Sequence, residues 1–298
     1  MGVLVTQLFV MFFLMFIGFG LFRAKKLTAQ GSKELGNVLV YVIMPCVVFN
    51  AYMTEFSVKR LWGLLAAFGL SIAALGISMA ISALIFHRHP IENFGTAFSN
   101  AGFMGLPLIQ AVLGSEAVFY ASAFVALLNF LQWTYGVFII TGERRQISAK
   151  KILLNPIIIS LFLGIIVFLM RIEIPEVLSK TVSLISGMNA PVAMLSIGTY
   201  LAQISLKNIV ADKTVWLSCL FRLFIIPGIC AAILWILPGG YAEIKLAVLI
   251  TSAAPVGSNV AIFAQLYHKN YTQAVKSVCL SSVLSLISIP LIISMVKF

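Results

Sequence analysis

The sequence predicts an all-α polytopic membrane protein with ten transmembrane helices, and three observations carry that prediction. Of the 298 residues, 61% are hydrophobic and only 10% are charged, against roughly 25% charged in a soluble domain. Apolar stretches of about 20 residues, the length that crosses a bilayer core, recur along the chain. Gly/Pro interruptions in those stretches fall at matching places in the two halves. A mean hydropathy of +1.07 does not fit one buried core under a wettable surface. Soluble enzymes, disordered regulators and nucleic-acid readers are excluded, despite a formal charge of +11.

The spans are predicted, in order, over residues 3–22, 35–53, 61–86, 92–113, 116–141, 152–170, 177–202, 214–237, 242–266 and 272–296. Span 1 lacks a basic leader and is long enough to cross, so it is expected to be a true first helix rather than a cleavable signal. Span 2 carries Met44-Pro45 and span 7 carries Ala190-Pro191, 146 positions later. Span 4 holds Asn100-Ala-Gly-Phe-Met-Gly-Leu-Pro107, and span 9 holds Ala254-Pro-Val-Gly-Ser-Asn259. Residues 1–142 thus read as a first five-span repeat, 143–151 as a basic cytoplasmic linker, and 152–298 as a second repeat. Five is odd, so the second half enters from the opposite side and the repeat is inverted.

Lys and Arg set the orientation. One side holds Arg23, Lys25, Lys26, Lys33, Arg88, Arg144, Arg145, Lys150, Lys151, Lys207, Lys213, Lys269 and Lys276. The other holds only Lys59, Arg60, Arg171, Lys180, Lys245 and Lys297. The richer side is expected to be cytoplasmic, which places both termini outside the cell membrane. All nine acidic residues fall in or beside connections. The four cysteines lie in apolar runs without ligand spacing, so free thiols are expected and no metal site.

Gly and Pro weaken a helix interior by about 1 and 3 kcal/mol. Span 4 concentrates Gly102, Gly105 and Pro107, and span 9 concentrates Pro255 and Gly257. Broken backbone at membrane depth must be buried in protein or line a watery cavity. Matched breaks in two inverted halves point to a transporter's midplane site. Restarting half-helices offer free N–H groups and a positive dipole end, which suit small anions. Asn100, Ser258 and Asn259 add polar side chains there, and Phe103, Met104 and Gly105 could wall the site. Asn50 and Asn189 could face it from other spans.

Arg222 lies nine residues past Lys213, about 13 Å into the membrane at ~1.5 Å per residue. A buried charge there calls for a partner. Two roles suit it: tying down the carbonyl end of a broken helix, or binding an anionic substrate. No catalytic residue is expected, because the three histidines sit in loops and no serine within a span has a base nearby. No phosphate-binding GxxxxGK[ST] loop is present, so ATP is not the direct energy source, and no cofactor is implied.

The stretch Ser99-Asn-Ala-Gly-Phe-Met-Gly-Leu-Pro-Leu108 resembles the signature of the auxin efflux carrier family, with support from Asn37–Pro45, Pro191–Gly198, Arg222–Pro227 and the span 9 break. The resemblance covers the whole chain and is nearest the short bacterial members, whose substrates are small carboxylates such as malate or malonate. It implies a fold similar to bile acid and sodium/proton carriers, with broken spans 4 and 9 crossing. Spans 1, 2, 6 and 7 would form a scaffold, and spans 3–5 and 8–10 a moving transport domain. It further implies a homodimer through the scaffold and substrate contact by Asn100. The expected function is elevator-type secondary transport of small organic anions across the cell membrane. The alternatives are a sodium-coupled, bile-acid-type symporter, or a non-transporting sensor or channel of the same fold.

Overall fold

The computed structural model describes residues 2–204, 212–237 and 240–296. Of the cations used for orientation, Lys207 and Lys297 lie outside these. The described residues contain no strand, only helices and an isolated antiparallel bridge between Ser99 and Val256. In order, the helices are α1 (Gly2–Arg23), α2 (Ala29–Tyr52), α3 (Val58–Phe86), α4 (Pro90–Ala97), α5 (Ala101–Leu113), α6 (Ser115–Thr141) and α7 (Ala149–Leu153). There follow α8 (Pro156–Met170), α9 (Glu176–Ala202), α10 (Lys213–Ile236), α11 (Ala242–Ala253), α12 (Asn259–Leu266) and α13 (Tyr271–Ser294).

Seven of them, α1, α2, α3, α6, α9, α10 and α13, are long and apolar enough to cross a membrane. The remaining predicted spans take other forms. Span 6 is the shorter apolar helix α8. Spans 4 and 9 are each a pair of half-helices, α4 with α5 and α11 with α12. Span 2 begins six residues earlier than hydropathy predicts, because Thr28 caps the polar turn Ala29–Glu34. Its Oγ1 accepts a hydrogen bond from the Gly31 N–H at 3.1 Å, supplying one of the orphan contacts of a helix start.

Prolines shape three helices in the same way. Pro45, Pro107 and Pro227 bring no N–H to the helix ladder. Each is preceded by a π-helical turn: Leu39–Ile43, Ala101–Gly105 and Phe221–Ile225. In each, the N–H just before the proline reaches back five residues, from Met44 to the Leu39 carbonyl, Leu106 to Ala101 and Ile226 to Phe221. The wider turn keeps the backbone bonded beside the missing donor, which hydrocarbon demands.

Packing is heaviest between α1 and α9, between α2 and both α8 and α9, and among α3, α4, α6 and α11. At the α1–α9 contact, a Cβ on Gly18 would overlap the Leu195 carbonyl and one on Gly198 the Met15 carbonyl. Small residues there let two backbones touch, as membrane helix pairs favour. Outward faces carry Phe9, Phe13 and Phe16 on α1, Leu65 and Ile72 on α3, and Phe162 and Ile166 on α8. Such apolar exposure fits contact with lipid rather than water.

Candidate functional site at the paired helix breaks

The two breaks lie against each other. The Asn100 N–H donates to the Pro255 carbonyl at 2.7 Å, and the Gly257 N–H donates to the Phe98 carbonyl at 3.0 Å. These bonds make the Ser99–Val256 bridge, so the released backbone of one half-helix pair satisfies that of the other. Gly257 permits the approach: a Cβ there would sit 3.0 Å from the Ser99 carbonyl oxygen and 3.2 Å from that of Phe98. Both neighbours are backbone and neither can yield without parting the bridge. Gly257→Ala is therefore expected to lower transport about 10-fold, from an overpacking cost of roughly 1–3 kcal/mol. Uptake normalised to membrane-inserted protein checks this, and wild-type rates would mean the bridge tolerates separation.

Arg222 does what the first of its two expected roles requires. It is 1% exposed. Its Nη1 donates to the Thr96 carbonyl at 3.1 Å and the Ala97 carbonyl at 3.5 Å, and its Nη2 donates to the Ser252 carbonyl. One guanidinium thus caps the C-terminal ends of both α4 and α11, where unpaired carbonyls gather negative potential. A second tie comes from the Thr96 and Ser218 hydroxyls, 2.8 Å apart, between α4 and α10.

Beside the crossing lies a narrow cleft of about 50 Å³, below the ~300–1,000 Å³ of a fully formed small-molecule site, so a carboxylate would have to widen it. Asn100, Gly102, Phe103, Gly257 and Asn259 line it from the breaks, Val40 and Met44 from α2, Asn129 and Trp133 from α6, and Asn155 from the start of α8. Asn100 is 3% exposed, and its Nδ2 has no hydrogen-bond partner among the described residues. Asn259 Nδ2 donates to Gln132 Oε1 at 2.7 Å, leaving Gln132 Nε2 unpaired and buried. The hydroxyls of Ser99, in the lining, and of Ser258, outside it, are also unpaired. No charged side chain lines the cleft. The arrangement is a neutral set of unpaired polar groups around the start of α5, with Asn100 Nδ2 and Gln132 Nε2 as donors and Asn259 Oδ1 as an acceptor.

Not every sequence-predicted residue joins this cleft. Met104 packs inward with its Sδ 3.8 Å from Ser285 Oγ, and Gly105 faces Thr251. Ser258 is buried outside the lining. Asn189 crosses from α9 to donate to the Gly102 carbonyl at 2.9 Å. Asn50, Pro107 and Asn189 line a separate cleft of about 550 Å³ on the other side of the crossing. Asn155, which the sequence reading passed over, caps α8 through Oδ1 bonds from the Ile157 and Ile158 N–H groups. Its signal was available in Asn155-Pro156, a cap residue followed by proline at the first helical position.

Glu92 adds a feature that hydropathy does not show. It stands in the first turn of α4 yet is buried, and its Oε1 accepts from Gln273 Nε2 at 2.7 Å and Thr214 Oγ1 at 3.2 Å. The bonds join α4, α10 and α13 at one end. Beside them Asp212 caps α10 and pairs with Lys276 at 3.4 Å. Burial raises its carboxyl, but hydrogen bonds led by Thr214 outweigh that and hold it at about 2.

Helices of spanning length, together with two breaks paired beside a largely apolar cleft that holds a few polar groups, fit a membrane transporter. The sequence agrees: the model of a family described as membrane transport protein matches residues 3–293, and the chain belongs to that family. The expectation raised by Ser99–Leu108 is met. Among relatives, a "putative malonate transporter" of Rhizobium meliloti (strain 1021) is 23% identical, covering 96% of this chain and 93% of its own length. An "uncharacterized transporter" of Methanothermobacter thermautotrophicus is 26% identical, covering 88% of both.

Proposed function

We propose that the protein is a secondary carrier of small carboxylate anions, working by elevator-type alternating access at the crossing of spans 4 and 9. The observation that carries this reading is the unpaired, buried Asn100 amide at the start of α5, in a cleft that no acidic side chain lines. Helix N-termini and amide donors stabilise a carboxylate. The name of the Rhizobium relative supports a malonate-like dicarboxylate as cargo.

In this reading all ten spans cross, as two inverted five-span repeats, with α8 and the half-helix pairs completing the count. Spans 1, 2, 6 and 7 form the scaffold, likewise the seat of a homodimer, and spans 3–5 and 8–10 carry the substrate past it. Both termini face outward from the cell membrane. The cleft's location, between the breaks and residues of α2 and α8, supports a substrate held between the two bodies. Asn189 would serve as the scaffold's contact on the far side.

The sodium-coupled alternative would hold the ion on Asn side chains, of which Asn259 Oδ1 is buried and unpaired, and on free backbone carbonyls. Those of Thr96, Ala97 and Ser252 are engaged by Arg222, that of Gly102 by Asn189, and those of Phe98 and Pro255 by the bridge. The anion reading is therefore preferred. Purified protein in liposomes preloaded with malonate should take up labelled malonate by saturable counterflow, unchanged when sodium is replaced by choline. Sodium-dependent uptake, or single-channel currents without counterflow, would overturn it.

A further inference from the structure

The crossing site is neutral, yet a strongly basic cleft stands directly in front of it. That cleft, about 770 Å³, shares Val40, Trp133, Asn155 and Ile262 with the site, so the two are continuous. Lys33 of α2, Lys150 and Lys151 of α7 and His268 after α12 line its mouth, and no carboxylate does. All four side chains are exposed. None of the three lysines has a carboxylate within ion-pair distance among the described residues. The cleft on the other side of the crossing has no charged residue in its own lining, and the recess continuous with it through Asn50, Gln110, Ser115 and Val118 holds Arg60 offset by Glu116 at 3.6 Å, so that side carries no net charge. The asymmetry is a matter of charge, on two openings that both reach toward the same crossing.

We propose that the Lys33, Lys150 and Lys151 cleft is an anion-capture vestibule, which concentrates carboxylates in front of the neutral amide site and makes entry from this side faster than from the other. The inference rests on the carrier reading for its cargo, but its electrostatics stand apart from it. A cleft of one charge sign between low-dielectric walls focuses the field and raises the local concentration of counter-ions. Close range favours it, since screening removes such fields beyond about 30 Å at ~0.01 M salt and about 3 Å at ~1 M. The same cation set could hold the phosphate of an anionic lipid, so the test separates the two sources.

Trp133 sits between vestibule and site and reports on both. With Trp62→Phe, Trp216→Phe and Trp235→Phe it is the single fluorophore. In neutral phosphatidylcholine nanodiscs at low salt, iodide is expected to quench Trp133 on the order of 10-fold more efficiently than caesium. Lys33→Gln/Lys150→Gln/Lys151→Gln should abolish that preference, as should ~1 M potassium chloride, while quenching by neutral acrylamide stays unchanged. Equal quenching by iodide and caesium in the parent, or a preference that survives the triple substitution, overturns the proposal. So does a parent-to-variant difference found only after phosphatidylglycerol is added, which would assign the lysines to lipid. Malonate counterflow on the same proteins reads the cargo separately. The variant should show a raised KM from this side alone with its maximal rate kept. Iodide preference without any malonate counterflow removes the carboxylate reading and leaves the vestibule.

Discussion

Arg222→Met is expected to cost the protein its folded state rather than its cargo. The substitution removes the donors that Thr96, Ala97 and Ser252 carbonyls share, leaving three buried acceptors at the ends of two half-helices. Each orphaned group costs about 1–3 kcal/mol, so the loss is roughly 3 kcal/mol or more against a total stability of about 5–15 kcal/mol. Yield of monodisperse protein and the thermal midpoint in detergent should both fall sharply. Arg222→Lys should recover only part of the loss, because an ammonium is a point donor and cannot fork across both helix ends. If Arg222→Met folds with an unchanged midpoint and loses transport alone, the guanidinium serves substrate instead.

Asn100→Ala is expected to give the opposite pattern. Its side chain has no protein partner to lose on Nδ2, and its backbone bonds to Pro255, Met104 and Gly105 do not involve the side chain. The midpoint should hardly move. A hydrogen bond to a charged ligand is worth about 1.5–3 kcal/mol, so Vmax/KM for the carboxylate should drop by roughly 10- to 100-fold. Measured counterflow in liposomes decides it, and normal transport by Asn100→Ala removes this residue from the site.

Seven of the spans were legible because membrane thickness demands a long apolar helix, which hydropathy records directly. Boundaries failed where a cap overrode hydropathy, as at Thr28 before α2. The breaks were legible too, since Gly102, Gly105, Pro107, Pro255 and Gly257 have no reason to cluster in an unbroken helix. What joins the breaks was not, because an antiparallel bridge between Ser99 and Val256 leaves no periodic trace over so long a separation. Within the π-helical turn Ala101–Gly105 successive side chains point to different sides, and hydropathy alone does not say which side meets the cleft. Phe103 faces the cleft while its neighbours Met104 and Gly105 turn to Ser285 and Thr251. Arg222 was found by its depth, but the carbonyls its guanidinium meets could be named only from the positions of α4 and α11. Glu92 was hidden because burial at a helix start depends on which neighbours, here Thr214 and Gln273, arrive from distant sequence.

The bridge between the two breaks is made of main chain alone: Asn100 N to Pro255 O, and Gly257 N to Phe98 O. Main-chain bonds do not read side-chain identity. Apart from the requirement for glycine at 257, the joint can persist while the residues displayed around it are exchanged. On the carrier reading proposed above, cargo preference would drift by substitution at positions such as Phe103 and Asn259 while the joint between the breaks persists. A fold hinged in this way is free to diversify its chemistry and keep its mechanics.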